Sequence, residues 1–390
     1  LPQIKDIASI SSGSTPNRNN SEYWNGNIAW VTTGELSSGH VNHTSELITV
    51  KAVKETKMRI YPQGTLLMAM YGQGKTRGTV AILEIDAAVN QACAAITVKD
   101  GKSKFLFYQL KNSYQDIRKL SNTGNQENLN ADIIKTYQVP WAPDEEQERI
   151  STILTTQDKV IELKEKRLAE KQRQKKYLMQ QLLTGKKRLP GFSGEWKNIK
   201  LCEVLSERKE KNVEQNLRIC SVAVQKGVVD QVEHLGRSYA ANDTSNYSVA
   251  HYGDIIYTKS PTGDFLYGIV KQNLLQETVA VSPLYGVFTP LTFDLGYFLH
   301  TYFQSAICAR NYLLPIVQKG AKNTINITND TFISSKLYLP LDVEEQKAIA
   351  DTFIAADREI ELLQQDIEQE KQKKKALMQL LLTGIVRVKT

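Results

Sequence analysis

Residues 145–185 and 344–384 are one stretch written twice, at an offset of 199 residues with no gap, and 17 of the 41 positions are identical. Such a repeat makes the chain an internal duplication and constrains its architecture before any single element is assigned. Both copies predict one long helix. Neither contains Pro or Gly before the terminal Gly185 and Gly384, and Glu, Lys, Gln, Leu and Ala dominate. Asp144 with Gln147, and Asp342 with Glu345, supply start signals. Apolar residues recur at heptad spacing. One seam position holds Leu154, Ile161, Leu168, Lys175 and Leu182, repeated as Phe353, Ile360, Ile367, Lys374 and Leu381. The other holds Ile150, Gln157, Lys164, Lys171 and Leu178, repeated as Ile349, Ala356, Leu363, Glu370 and Leu377. This is a coiled-coil seam with a polar middle, in which Leu154, Ile161, Leu168, Leu178, Leu182, Phe353, Ile360, Ile367, Leu377 and Leu381 are the expected inter-helix packing residues. At about 1.5 Å per residue each rod is about 60 Å long.

One rod joins two globular segments and the other follows the second segment, so the simplest pairing is antiparallel. The expected fold is α+β: two similar mixed α/β domains separated by two long helices packed as an antiparallel coiled coil, with pseudo-two-fold symmetry. The polar layers suit a pairing that must fix one register. Lys171 opposite an acidic residue such as Glu370 is a tolerated arrangement.

A chain of 390 residues suits two domains plus a helical element, and 41% apolar residues are enough for real cores. No run of 18 apolar residues predicts a membrane span. No basic-then-apolar leader opens the chain, which favours a cytoplasmic location. Leu1 is not an initiator Met, so a few residues are expected to precede it. Cys93, Cys202, Cys220 and Cys308 are scattered, form no C-x-x-C and read as reduced thiols. The net charge of +7 and pI near 8.9 are compatible with a polyanionic partner but are weak on their own.

In chain order the expected parts are a first domain (1–143), a central helix (144–185), a linker and second domain (186–341), and a C-terminal helix with a tail (342–390). In the first domain, strands are expected over 28–32, 65–70, 79–85 and 92–98, and one helix over 104–120. The second domain echoes the first. Ile4 to Ile7 match Leu201 to Val204, Gly64 matches Gly253, Gly78 matches Gly268, and Phe105 to Tyr108 match Tyr297 to His300. The loop at 124–130 resembles that at 320–329. These echoes are far weaker than the helical repeat, which suggests that the rods meet one common partner while the domains meet two different targets.

Gly72 to Gly78 (GQGKTRG) lacks the first glycine of a P-loop, because that position is Ala69. It reads as a basic, flexible loop between strands. Tyr71, Gln73, Lys75, Thr76 and Arg77 are candidate nucleic-acid contacts, since Lys and Arg pair with phosphates while Arg and Gln read base edges. The equivalent loop, 258–265, offers a different set: Lys259, Ser260 and Thr262. Asn125 and Gln126 in one late loop, and Lys319, Lys322 and Asn323 in the other, are further candidates. Hairpin drift and simple turn preference explain the same residues. No catalytic constellation emerges. His40, His43, His234, His251 and His300 lack metal spacing, and there is no nucleophile elbow or dinucleotide fingerprint. No metal site or cofactor is expected in this chain.

Each domain ends in a Pro and Glu-Glu-Gln entry (Pro143 to Gln147, Pro340 to Gln346). Each helix ends in LMQxLLTG (Leu178 to Gly185, Leu377 to Gly384), and Gly191 to Trp196 (GFSGEW) open the second half. With the duplication, these residues strongly resemble the specificity subunit of type I restriction-modification enzymes over essentially the whole chain. The resemblance implies two target recognition domains, each reading half of a bipartite double-stranded DNA site, with helices that set the spacer and dock two modification subunits. It implies a non-catalytic chain: S-adenosylmethionine belongs to the modification subunit, and ATP with Mg to the restriction subunit. A heptad of about 10 Å would then correspond to about three base pairs of spacer. The alternatives are an architectural nucleic-acid-binding protein and a coiled-coil scaffold with protein partners only.

Overall fold

The protein is described from a computed structural model, which covers residues 1–72, 74–99, 101–120, 128–236, 243–319 and 325–388. Two compact units are present: Leu1–Glu165 together with Gln365–Thr390, and Lys166–Gln364. Each unit holds one globular head and about half of each long helix. A division along the chain into head, helix, head and helix thus follows the sequence, whereas the packing shares both helices between the units. No helix among the described residues is long and apolar enough to cross a membrane.

The expected helices run over Asp144–Leu182 and Val343–Leu382. Asp342 caps the second, its carboxylate accepting from the Glu344 backbone N–H at 2.9 Å. Asp144 is instead the first helical residue of its helix and pairs with Lys102. There the entry is braced by Gln147, which donates from Nε2 to the Ala142 carbonyl at 2.6 Å, as Gln346 does to Pro340 at 2.8 Å. At the other ends Gly185 (φ +68°) and Gly384 (φ +77°) adopt the left-handed conformation that ends helices. The backbone N–H groups of Lys187 and Val386 then close back on the Gln181 and Leu380 carbonyls, both at 3.1 Å.

The two heads share the order of four strands in their main sheets, to which the first head adds a fifth. In the first, Ala8–Ser12 lies beside Cys93–Val98, then Leu66–Ala69, Val80–Leu83 and His40–Val41. In the second, Leu205–Glu207 lies beside Gly286–Pro290, then Ile255–Tyr257 and Val270–Gln272. A further sheet in each head is built on a parallel pair, Trp24–Val31 with Ala87–Val89, and Arg218–Ala223 with Val279–Val281. The echoed glycines occupy matching turns: Gly64 and Gly253 both have positive φ (+87° and +92°), and each donates at 2.8 Å, to the Leu83 and Asn273 carbonyls. Ile4 and Leu201 are fully buried, and their N–H groups donate at 3.0 and 3.1 Å to the carbonyls of Tyr137 and Ser335, which cap the short helices Ala131–Thr136 and Asn329–Ser334.

Three expectations are corrected. The single helix over 104–120 is two, Ser103–Asn112 and Tyr114–Lys119, broken where Ser113 leaves helical geometry (ψ 9°). Side-chain roles shift one echo by three residues, since Tyr108 and not Phe105 is the partner of Tyr297, as developed below. The helical seam is also not inter-helix along its whole length. Leu154 and Leu381 join the core of the first head, with Ile150, Met378 and Leu382. Leu182 and Phe353 join that of the second, with Leu183, Ile349 and Ala350, while Leu178 and Leu377 lie partly buried against the same cores. Ile161 and Ile367 are buried in the middle stretch, where Leu168 and Ile360 are half-buried.

Candidate nucleic-acid interface

Within the first unit the helices run antiparallel, because partners descend in number on one as they ascend on the other. Glu146 meets Arg387, Gln157 meets Glu370 at 2.6 Å, and Lys164 meets Glu370 at 2.9 Å and Asp366 at 2.8 Å. Lys164 and Gln157 together push the Glu370 carboxyl down to about 2. In the second unit Lys171 faces Glu359 at 2.8 Å, and Lys175 meets Asp357. The acidic partner of Lys171 is therefore Glu359, and Glu370 is taken by Lys164. The register of the antiparallel pair, which one helix alone cannot reveal, decides this.

Each helix end is clasped in the same way. Glu146 is bound by Arg387, and Glu345 by Arg188, the two arginines lying at the offset of the helical repeat. Trp196 Nε1 also donates to Glu345, at 3.1 Å. Where each helix meets its head, one triad recurs. Tyr108 donates from its hydroxyl to Asp158 at 2.8 Å, and Lys374 pairs with the same carboxylate. Tyr297 donates to Asp357 at 2.8 Å, and Lys175 pairs with that one. Burial raises both phenols well above their ordinary range. Lys175 and Lys374 were read from the sequence only as polar layers of the seam, and the roles of Asp158, Asp357, Tyr108 and Tyr297 were missed, although Asp158/Asp357 is a polar position that the duplication leaves identical.

The second junction adds a buried lysine and a buried histidine. Lys175 also donates to Gln304 at 2.8 Å, and the Gln272 backbone N–H donates to His300 Nδ1 at 2.9 Å. Full burial beside Lys271 and Lys175 holds that imidazole neutral. Lys271 is 4% exposed, and burial, then repulsion from Lys175, lowers its ammonium to about 8. Below that pH the lysine is charged in both states and burdens the fold by on the order of 3 kcal/mol. Between about 8 and the ordinary lysine range near 10.4 the unfolded chain binds more protons, so stability rises with pH. Lys271→Met is expected to raise the melting temperature at pH 7 and to flatten that alkaline rise, which calorimetry across pH 7–10 checks.

The candidate loops sit at equivalent places in the two heads. The first, between Leu66–Ala69 and Val80–Leu83, is tied to the helix Tyr114–Lys119. Tyr114 donates to the Lys75 carbonyl at 2.6 Å, and Arg118 to the Arg77 and Gly74 carbonyls at 2.7 and 2.8 Å. Gly78 has φ +82°, and a Cβ there would lie 3.1 Å from the Arg118 side chain. Tyr71 and Lys75 are exposed and Thr76 half-buried, whereas Arg77 is buried, at 7% exposure. Arg77 is corrected from a surface reader to a residue packed inside the head. Gln73 lies outside the described residues. The second loop presents Ser260 and Thr262 to solvent, with Thr262 and Phe265 exchanging backbone hydrogen bonds at 3.0 Å. Lys259 is half-buried in a left-handed conformation (φ +60°), and burial lowers its ammonium.

Of the late loops, Asn125, Gln126, Lys322 and Asn323 lie outside the described residues. Lys319 is not in a loop: Gln318–Lys319 pairs antiparallel with Ile325–Asn326 as a short ribbon. Both loops end on helix caps, Asn130 accepting from the Ile133 N–H at 2.9 Å and Thr328 from the Thr331 N–H at 3.1 Å. The structure thus brings the described first-loop candidates, Tyr71, Lys75, Thr76 and the buried Arg77, together on one buttressed hairpin. The amide-rich signal of the late loops is in part a capping signal.

Among known proteins, the family model for the type I restriction modification DNA specificity domain matches residues 2–172 and again 194–372. The chain is 34% identical over 172 residues to the MjaIX type I restriction enzyme specificity subunit of Methanocaldococcus jannaschii, covering 43% of this chain and 39% of that protein. It is 25% identical over 313 residues to the MjaVIII specificity subunit of the same organism, covering 73% of this chain and 70% of that protein. The first match thus spans well under two thirds of its relative's length. The fold resembles the crystal structure of the type I restriction-modification S subunit from M. genitalium, with a TM-score of 0.61 at 11% identity over 98% of this chain and 95% of that one.

Proposed function

This chain belongs to the type I restriction-modification DNA specificity family, and we propose that it recognises a bipartite double-stranded DNA site, one half per head. The carrying observation is the duplication at two levels: two heads that share the strand order of their main sheets but differ in their loops, on helices whose ends, clasps and junctions repeat. Divergent loops on a common scaffold suit two different half-sites, and a repeated helical surface suits two copies of one partner. In this reading the helices set the spacing of the half-sites and dock two modification subunits. The chain itself is non-catalytic and cytoplasmic. S-adenosylmethionine, ATP and Mg act on the modification and restriction subunits.

Tyr71, Lys75, Thr76, Ser260 and Thr262 are the described candidates best placed to meet DNA, with Lys259 beside them. Selection from a randomised DNA library by the chain with its modification subunit tests the proposal. Two short motifs at fixed separation are expected. Salt-sensitive binding with no enriched motif would instead identify an architectural protein. Light scattering of the saturated complex tests the count of two modification subunits.

A further inference from the structure

Among the 17 positions identical between the helical copies, most are apolar or belong to caps. Asp158/Asp357 and Lys175/Lys374 are different, because they are charges placed where the helices enter the heads. Their surroundings match in detail. The lysine side chains are 12% and 11% exposed and their aspartate partners 33% and 31%. In both units the three members come from three elements: one long helix, the other long helix, and the head helix that carries Tyr108 or Tyr297. A largely buried ion pair is a poor means of gaining stability, since desolvation offsets most of the attraction. What such a pair can do is exclude alternatives, as polar residues in a helical seam do.

We propose that the two triads, Tyr108–Asp158–Lys374 and Tyr297–Asp357–Lys175, are positioning sites that lock helix register to head orientation. A slip of one heptad in the antiparallel pair would set Asp158 against Ile367 or Leu381, and Lys175 against Ala350 or Gln364. Either slip strands a charge without its counter-ion at both junctions. The same seventeen residues separate Asp158 from Lys175 and Asp357 from Lys374, so both pairs close in one register. Because the tyrosine belongs to the head, that register also sets how the head is carried. Residues that touch no DNA thereby control which half-site separation is accepted. This last step rests on the bipartite reading above, whereas the lock itself does not.

The test uses the full chain with its modification subunit and the triple variant Tyr108→Phe/Asp158→Leu/Lys374→Met, which removes the lock as a unit; Lys111, which also faces Asp158 and Lys374, has an exposed side chain, so no buried charge is orphaned. Replacing a buried pair by apolar residues of similar size is close to neutral for stability, so the variant is expected to melt near the parent. It should retain the base preferences of both half-sites. Its discrimination between the preferred spacer and spacers one base pair longer or shorter should fall about tenfold, equivalent to about 1.4 kcal/mol. Unchanged discrimination in a stably folded variant overturns the proposal. If the parent itself selects no bipartite site, the functional reading has failed and the lock is judged by a second measurement. Spin labels introduced as unnatural amino acids at Ser45, on the first head, and at Lys159, on the outer face of the first long helix, report their distance distribution. The variant should broaden that distribution, and an unchanged width overturns the lock. Tyr108→Phe alone should show the same effects in weaker form, which guards against misfolding of the triple variant.

Discussion

Deleting one heptad from each long helix, Ile161 to Arg167 and its counterpart Ile360 to Asp366, is expected to shorten the preferred half-site separation by about three base pairs, at about 10 Å per heptad and 3.4 Å per base pair. The double deletion removes Lys164 and its partner Asp366, and the seven-residue period brings Lys171 and Glu359 into their places, so that Lys171 faces Glu370 as Lys164 did. It spares the head cores, the clasps and both triads, all of which lie outside the deleted segments. Deleting the heptad from one helix alone has a different outcome. The spans between junction residues then differ on the two helices, and Asp158–Lys374 and Asp357–Lys175 cannot close together. Breaking one largely buried pair costs about 3–5 kcal/mol, enough to abolish specific binding or folding. Spacer selection with the two deletion variants and the parent distinguishes these results. A double deletion that selects the parental spacing would show that the helices do not set it.

The gross architecture was legible in the sequence because the information lies in periodicity and repetition. Heptads, the terminal glycines Gly185 and Gly384, and the 199-residue offset mark two antiparallel-compatible helices. Matched turn glycines such as Gly64 and Gly253 mark the common strand order of the heads, since each sits where only a positive φ closes the turn. Facing was not legible. Whether Lys171 meets Glu370 or Glu359 depends on register, and register depends on contacts between segments far apart in the chain. Nor was it legible that Leu154 and Phe353 would serve head cores, because a heptad pattern reports an apolar face and not what covers it. The candidate site was legible only in part. The basic hairpin at 71–78 was visible, but the burial of Arg77 and the bracing by Tyr114 and Arg118 come from a helix some 40 residues away in sequence.

The clasps are expected to be unequal despite their identical residues. Arg188→Ala strips the counter-ion from Glu345, whose side chain is 1% exposed and is otherwise held by Trp196. A buried carboxylate left in this way should cost about 3 kcal/mol, a shift of several degrees in melting temperature and a large fraction of the stability of an ordinary domain. Arg387→Ala should cost less: Glu146, at 3% exposed, is about as buried as Glu345, but Arg387 is 66% exposed where Arg188 is 25% exposed, so water already screens that pair and can reach the carboxylate the variant leaves. The Arg387 clasp has its own pH signature. Hydrogen bonds from Arg387 hold the Glu146 carboxyl below its ordinary range in the folded protein. Its contribution is therefore complete above the unfolded value near 4.3 and is lost as the pH falls through the lower folded value. Arg387→Ala should shorten that loss, so variant and parent converge in stability at strongly acidic pH and diverge above about pH 5. Thermal melts of both variants from pH 3 to 7 decide the matter. Equal losses for Arg188→Ala and Arg387→Ala at neutral pH would show that burial does not set the strength of these clasps, and a pH-independent deficit for Arg387→Ala would show that its charge is not what stabilises the helix end.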